Sequence, residues 1–292
     1  MSDDNHVITR RDFVRGTVGA TLGAVSMGGT LAALASPVST SEVVLAREQW
    51  VLDEQHVVNP GILKIMLHNV LTKVTGKPDP TSAWQSLVKT DDVIGLVATG
   101  HLNKTHPELI ELVRASLMES GIPKSNIREA QGGPEKAGVC TALIALPALK
   151  AHWLTGIGTV LKNYITFSGN PSSYHHANNA NLGEIWNMPN VKGKTKLVVV
   201  DALRPLCDKG PQPDPRYLWD YKGLIAGRDP VAVEAVCLRV ILQKRQALRG
   251  EPWPLSPPPL CVEMADKKYG LGTSRMEQIQ LTRIGWTAEA LV

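Results

Sequence analysis

Closely spaced cysteines are missing from this sequence of 292 residues. No two of its four cysteines are near enough for a CxxC pair: Cys140, Cys207, Cys237 and Cys261. Ferredoxin-type clusters and zinc ribbons need closely spaced thiolates, so we expect no iron–sulfur cluster on this chain alone. The cysteines are interpreted as small buried hydrophobes, and one disulfide in an oxidising compartment stays open as an alternative.

Strong net charge and familiar nucleotide or hydrolase motifs are lacking as well. The formal net charge of +4 at pH 7 is too small to favour a nucleic-acid partner. There is no GxxxxGK loop, no GxSxG elbow and no HExxH pair, and Gly156-Ile157-Gly158 lacks the third glycine of a dinucleotide loop. These absences argue against P-loop, α/β-hydrolase and zinc-protease chemistry.

A twin-arginine export signal is predicted at the N-terminus. Residues 9–15 read Thr-Arg-Arg-Asp-Phe-Val-Arg, and an uncharged stretch rich in glycine and alanine follows over residues 16–35. Small residues at Ala33 and Ala35 suit a signal peptidase. We therefore expect a cleaved signal over residues 1–35, the twin-arginine machinery as partner, and a periplasmic or otherwise exported location.

A retained membrane anchor is the alternative, although five glycines lower the hydrophobicity of that stretch. No later stretch approaches a membrane span, so no stable span is expected once the signal is cleaved. Passengers of this pathway fold before they cross the membrane and often carry a cofactor, which the sequence does not identify.

Short apolar runs alternate with helical patterns over the remaining residues 36–292. Helices are predicted to begin at Asn59-Pro60 and at Asp229-Pro230, and Thr105 with Glu108 is predicted as a capping box. Strands are predicted at residues 93–98, 127–130, 141–146, 196–200 and 224–226, and the tail over residues 264–290 is predicted to be helical. The alternation favours a single α/β domain with a mostly parallel β-sheet flanked by helices.

Unusual polar residues follow two of these predicted strands. Lys150, His152, Lys162 and Asn163 come after the strand at 141–146, and Asp201 and Arg204 come after the strand at 196–200. The carboxyl ends of parallel strands meet at one edge of a sheet, where ligands bind. We predict Lys150, His152, Lys162 and Asp201 as catalytic residues around a small carboxylate or phosphate. The alternative is that they are separate surface charges and turn residues.

Five further candidates complete the predicted site as ligand-binding residues: Asn163, His175, His176, Arg204 and Asp229. Histidine side chains are common ligands of transition metals, so a bound transition metal stays open as an alternative. Adjacent histidines on an extended chain point to opposite sides, however, so His175 and His176 are poorly placed to share one ion.

Several of these segments resemble the family known as domain of unknown function three-six-two (DUF362). Leu146-Pro147-Ala148-Leu149-Lys150-Ala151-His152, followed by Leu161-Lys162-Asn163, is similar to its signature. Blocks at 170–175, 199–211, 229–233 and 269–272 follow in the family's order. The chain departs from the family at Glu234, where Asp is common, at residues 99–103, where Lys-x-Asn is common, and in lacking ferredoxin-like cysteines. The resemblance implies a fold and a site but no established reaction.

Two hypotheses of function follow. The first is an exported enzyme, redox or metal-assisted, that acts on a small anionic molecule at the Lys/His/Asp site. The second is a non-catalytic binding or maturation protein that serves an exported redox complex.

Overall fold

A nine-stranded sheet is the centre of the structure, a computed structural model that describes residues 40–292. The predicted signal at residues 1–35 lies outside the described residues. The strands are β1 (Ser41–Arg47), β2 (Ile94–Ala98), β3 (Ile127–Glu129), β4 (Ala142–Leu146), β5 (Ala148–His152), β6 (Gly156–Ile157), β7 (Thr195–Leu206), β8 (Gly223–Gly227) and β9 (Ile279–Gly285). The main order is β3-β2-β4-β7-β8-β1-β9, with β5 beside β7 and β6 beside β5.

Most neighbouring strands are parallel. Strand β8 runs antiparallel to both β7 and β1, and β5 and β6 form an antiparallel pair. The other pairings are parallel. The predicted α/β class with a mostly parallel sheet and flanking helices is therefore confirmed.

Helices cover both faces of the sheet. They are α1 (Pro60–Thr75), α2 (Pro80–Leu87), α3 (Pro107–Glu119), α4 (Pro134–Gly138), α5 (Leu182–Trp186), α6 (Pro230–Arg249) and α7 (Leu260–Lys267), with short 3₁₀ helices at Lys124–Asn126, Leu161–Ser168, Pro171–Tyr174, His176–Asn181 and Met276–Gln278. Side chains alternate along β7, so Leu197 and Val199 pack with α1, α2 and α3, whereas Val198 and Val200 pack with α6. Within residues 40–292, no helix is both long and apolar enough to cross a membrane.

The two predicted helix starts are confirmed by their caps. The Asn59 side chain accepts hydrogen bonds from the N–H groups of Gly61 and Ile62, and Gly76 ends α1 in a left-handed conformation. Asp229 caps α6 in the same way, accepting from Val231 and Ala232 N–H at 2.9 Å.

The predicted capping box at Thr105 is wrong. Helix α3 begins at Pro107, after His106, and Thr105 is not its cap. Instead the Thr105 hydroxyl donates to the Leu146 carbonyl and accepts from Thr99 N–H at 2.9 Å. Thr105 therefore ties the loop after β2 to the end of β4.

The structure also changes the predicted strand ends. Strands β4 and β5 are separated only by Pro147, so Lys150 and His152 lie on a strand and not on a loop. Strand β7 continues to Leu206, which places Asp201 in its interior. Proline removes one N–H donor but leaves its carbonyl, and Pro147 accepts from Asp201 N–H at 2.8 Å. The pairing with β7 therefore continues past the proline.

The predicted helical tail is corrected as well. Helix α7 ends at Lys267, and the tail then forms strand β9, which pairs in parallel with β1 from Ser41 opposite Ile279. No strand was predicted at residues 41–47, so the tail had no predicted partner strand. Strand β9 covers an edge of β1 that would otherwise present unpaired N–H and C=O groups.

Candidate functional site

A pocket of about 240 Å³ lies at the end of β2, between the loop after β3 and strand β5. Its lining joins four of the predicted residues: Lys150, His152, Lys162 and Asn163. Lys150 and His152 come from β5, whereas Lys162 and Asn163 come from the 3₁₀ segment Leu161–Ser168. The structure thus brings both lysines to one pocket, as expected for polar residues beyond the ends of parallel strands.

Lys150 is a buried cation, and its residue is only 4 % exposed. Its Nζ donates to the carbonyls of Asn103 at 3.0 Å and Leu102 at 3.3 Å. Burial, strengthened by the charge of Lys162 and opposed by that of Asp201, lowers the pKa of Lys150 to about 7. Near neutral pH a large share of Lys150 is therefore the free amine.

Lys162 faces the same pocket and contacts a histidine. Its Nζ lies 3.0 Å from His175 Nε2. Burial lowers the pKa of Lys162 to about 8. Burial, followed by the charge of Lys162, also lowers the pKa of His175. An ammonium has no lone pair, so Lys162 donates and His175 Nε2 accepts when the lysine is charged.

His152 is held as a neutral ring. The backbone N–H of Leu154 donates to its Nδ1 at 3.1 Å, which places the ring proton on Nε2. Burial, followed by the charges of Lys162, His175 and Lys150, lowers the pKa of His152 to about 3. Its ring stacks on that of His175 with centroids 6.1 Å apart. His152 can therefore donate a hydrogen bond without carrying a charge.

Asn163 fastens the 3₁₀ segment to the end of β2. Its Nδ2 donates to the Val97 carbonyl at 2.6 Å, and its Oδ1 accepts from the Thr99 hydroxyl at 3.1 Å. The Thr99 hydroxyl in turn accepts from Ala148 N–H at 3.1 Å. Much of the Asn163 amide is therefore committed to positioning Lys162 rather than to a ligand.

Glu234, which is not among the predicted site residues, reaches the same 3₁₀ segment from α6. Its carboxylate accepts from Leu161 N–H at 2.9 Å and from Val160 N–H, next to Lys162. Glu234 is 1 % exposed, and burial raises its pKa to about 7 against the opposing backbone hydrogen bonds. The available signal was a lone carboxylate within the apolar start of α6.

Asp201 is buried beside Lys150 but does not line the pocket. Its Oδ2 accepts from the His106 backbone N–H at 2.6 Å and from His106 Nδ1 at 2.7 Å. Its Oδ1 accepts from Leu203 N–H at 3.1 Å. Burial lowers the pKa of His106, but the hydrogen bond and charge of Asp201 outweigh it, and the net shift is upward. Asp201 therefore holds His106 at the start of α3.

Three predicted ligand-binding residues do not line the pocket: His176, Arg204 and Asp229. The His176 ring packs edge-on against Trp153, with centroids 6.3 Å apart. Arg204 Nε lies 3.4 Å from Asp220 Oδ1. Asp229 caps α6 and lines a different cavity of about 540 Å³. Because β8 is antiparallel to β7, the end of β8 lies beside the start of β7. The cavity at Asp229 is therefore at the opposite ends of the parallel strands from the lysine pocket.

Metal ligands do not gather in the described part of the chain. Among residues 40–292, no group of three His, Cys, Asp or Glu side chains is placed to hold an ion. All four cysteines are buried and free. The larger cavity at Asp229 has no buried lysine such as Lys150 in its lining, so we place the candidate site in the smaller pocket.

Comparison with known proteins agrees with the family resemblance over part of the chain. No curated protein and no solved structure matches the sequence. Residues 104–239 match the family described as domain of unknown function (DUF362). The matched segment contains Lys150, His152, Lys162 and Glu234. The part of the chain that supplies both pocket lysines is therefore similar to DUF362 domains.

Proposed function

We propose that this chain is an enzyme that acts on a small anionic ligand held by Lys150 and Lys162. One observation carries the proposal: the buried Lys150 and the half-buried Lys162 line one pocket, and among residues 40–292 neither forms an ion pair with a carboxylate. Burying an ammonium group is costly unless an opposite charge accompanies it. A bound anion would supply that charge.

The size of the pocket favours a small molecule. Its volume of about 240 Å³ is below the roughly 300–1,000 Å³ typical of pockets for drug-sized ligands. A small carboxylate or a phosphate would fit within it.

Catalysis is favoured over simple binding by the state of the ionisable groups. With a pKa of about 7, Lys150 supplies both ammonium and free amine near neutral pH, as general bases and nucleophiles require. His152 adds a neutral N–H donor at the same pocket. A site that only neutralised an anion would have no use for a lysine that loses its proton so readily.

Calorimetric titration with acetate, lactate and inorganic phosphate near pH 7 tests the anion site. We expect at least one of these anions to bind, and Lys162→Met to weaken that binding about tenfold, because a charged hydrogen bond contributes roughly 1.5–3 kcal/mol. Lys192→Met is the matched control, since Lys192 is exposed and outside the pocket. Unchanged affinity in Lys162→Met, or an equal loss in Lys192→Met, would contradict the proposal.

We also propose that the protein is exported by the twin-arginine route, on the pattern at residues 9–15. Replacing Arg10 and Arg11 together with lysine should leave the protein in the cytoplasm at its full length. Cell fractionation and the mass of the recovered chain measure both effects. Normal export of the double variant would show that the pattern is accidental.

A further inference from the structure

The amine of Lys150 is held in a way that leaves one position free. Its Nζ contacts two acceptors, the carbonyls of Leu102 and Asn103. A neutral amine has two N–H bonds and one lone pair, so these two carbonyls satisfy both hydrogens. The lone pair then remains available to an electrophile in the pocket.

The loop after β2 is shaped to provide this pair of carbonyls. Leu102 and Asn103 both have φ of 43°, in the left-handed region. Side chains other than glycine seldom adopt that conformation, and consecutive residues in it are rarer still. Both carbonyls of this strained turn face the amine of Lys150.

Among residues 40–292, no carboxylate forms a hydrogen bond or ion pair with the Lys150 amine that would fix a third proton on it. Asp201 is the acidic group whose charge reaches it, but both Asp201 oxygens already accept hydrogen bonds from His106 and Leu203. The other charge that faces Lys150 is Lys162, which disfavours the ammonium form. Like-charge neighbours and burial are the means by which lysine is made a nucleophile.

We propose that Lys150 forms an imine with a small 2-oxo acid whose carboxylate is bound by Lys162. This inference rests on the anion site proposed above and names its substrate class. The lysine nitrogen attacks the carbonyl carbon, a C–N bond forms, and the carbonyl electron pair moves to oxygen. The carbinolamine then loses that oxygen as water together with both amine hydrogens, and the nitrogen lone pair completes the C=N bond. No oxidant or reductant is consumed.

The other pocket residues suit this substrate. Lys162 is oriented by His175 Nε2 at 3.0 Å and can pair with the carboxylate next to the carbonyl. His152 carries its proton on Nε2 and can donate to the carbonyl oxygen as negative charge develops there. Gly158 leaves room for that ring, because a Cβ at this position would lie 3.0 Å from the ring atom Cδ2 of His152.

Reductive trapping tests the proposal on the full chain. The protein is incubated with pyruvate and sodium cyanoborohydride near neutral pH, and the adduct is located by peptide mass mapping. We expect a single addition, equal to the mass of the acid less one oxygen atom, on Lys150. Lactate has the carboxylate but a hydroxyl in place of the ketone, so it should protect Lys150 from labelling without forming an adduct. An adduct spread over exposed lysines such as Lys64 and Lys192, with none enriched at Lys150, would overturn the proposal.

Two variants separate this inference from the anion site itself. Lys162→Met should reduce labelling of Lys150 about tenfold at subsaturating pyruvate, and Lys162→Arg should restore part of it. If pyruvate binds the wild-type chain and binds Lys162→Met poorly, yet never labels Lys150, the imine is wrong and the anion site stands. If pyruvate, acetate, lactate and phosphate all fail to bind and nothing is labelled, both are wrong.

Discussion

Two buried cations in this molecule have opposite surroundings. Arg245 is 2 % exposed, and it donates to the carbonyls of Trp253, Cys207 and Pro254 and to Asp208 Oδ1 at 2.7 Å. Its guanidinium also lies 3.8 Å from the centroid of the Trp253 ring. Lys150 is buried to a similar extent, but within the described part of the chain its amine contacts two carbonyls and no carboxylate.

The difference indicates what each residue is for. Arg245 has acceptors for most of its donors and an opposite charge beside it, so it joins α6 to the loops at Cys207 and Trp253. Lys150 also has carbonyl acceptors, but it has no carboxylate partner among the described residues, and it faces a pocket instead of filled space. A buried cation that is paired with a carboxylate of the same chain stabilises the fold. A buried cation without such a partner is suited to bind an anion from solution.

The largest expected effect tests this comparison directly. Arg245→Met should lower the free energy of unfolding by about 3–5 kcal/mol, because it leaves Asp208 and several carbonyls unpaired. Lys150→Met should stay within about 1 kcal/mol of the wild type, since the lost hydrogen bonds are offset by removal of an unpaired buried charge. Urea unfolding of both variants measures this, and similar losses in the two would break the comparison.

Much of the fold was predictable because local signals agreed with the tertiary structure. Asn59 and Asp229 are strong caps followed by proline, and the apolar runs that became β2, β4 and β8 are too short for helices. The prediction of a helical tail was wrong because strand β9 forms by pairing with β1, more than two hundred residues earlier in the chain. No local sequence pattern shows that pairing.

The candidate site was predictable only in part. Two lysines, a histidine and an asparagine after a buried strand were enough to predict a shared pocket. The hydrogen bonds that position these residues were not predictable, because they come from Glu234 on α6 and from Thr99 after β2. Asp201 and Asp229 do not line the pocket, and their sequence positions could not show this, because an aspartate near a strand end also suits a buried hydrogen bond or a helix cap.

Glu234 provides a second test of how burial affects an ionisable group, with an expected effect on stability smaller than that of Arg245→Met. Its folded pKa of about 7 exceeds its ordinary value of 4.5, so the folded state binds the proton more tightly. The resulting stability is present below about pH 4.5 and is lost as pH rises to about 7, by roughly 3 kcal/mol from the linkage relation. Cys237 and Cys261, the titratable groups beside it, stay neutral over this range because burial raises the pKa of each thiol.

Glu234→Gln should remove that dependence. Unfolding free energies of wild type and Glu234→Gln, measured from pH 4.5 to pH 7, should diverge toward the upper end, with the variant more stable at pH 7. The difference between the two chains cancels the titration of other groups. Parallel curves would mean that Glu234 has an ordinary pKa and supports Lys162 as a carboxylate throughout.

The ionisation of Lys150 is the most direct test of the account, and NMR of selectively labelled lysine side chains can follow it. Without added anion, the Nζ of Lys150 should titrate near pH 7, and an anion that binds in the calorimetric titration, such as acetate or phosphate, should raise that pKa by stabilising the ammonium form. Lys162→Met should abolish most of the anion-dependent rise. A Lys150 pKa near its ordinary value of 10.5 that is unmoved by anions would contradict the account, because the pocket would then hold a fully compensated cation.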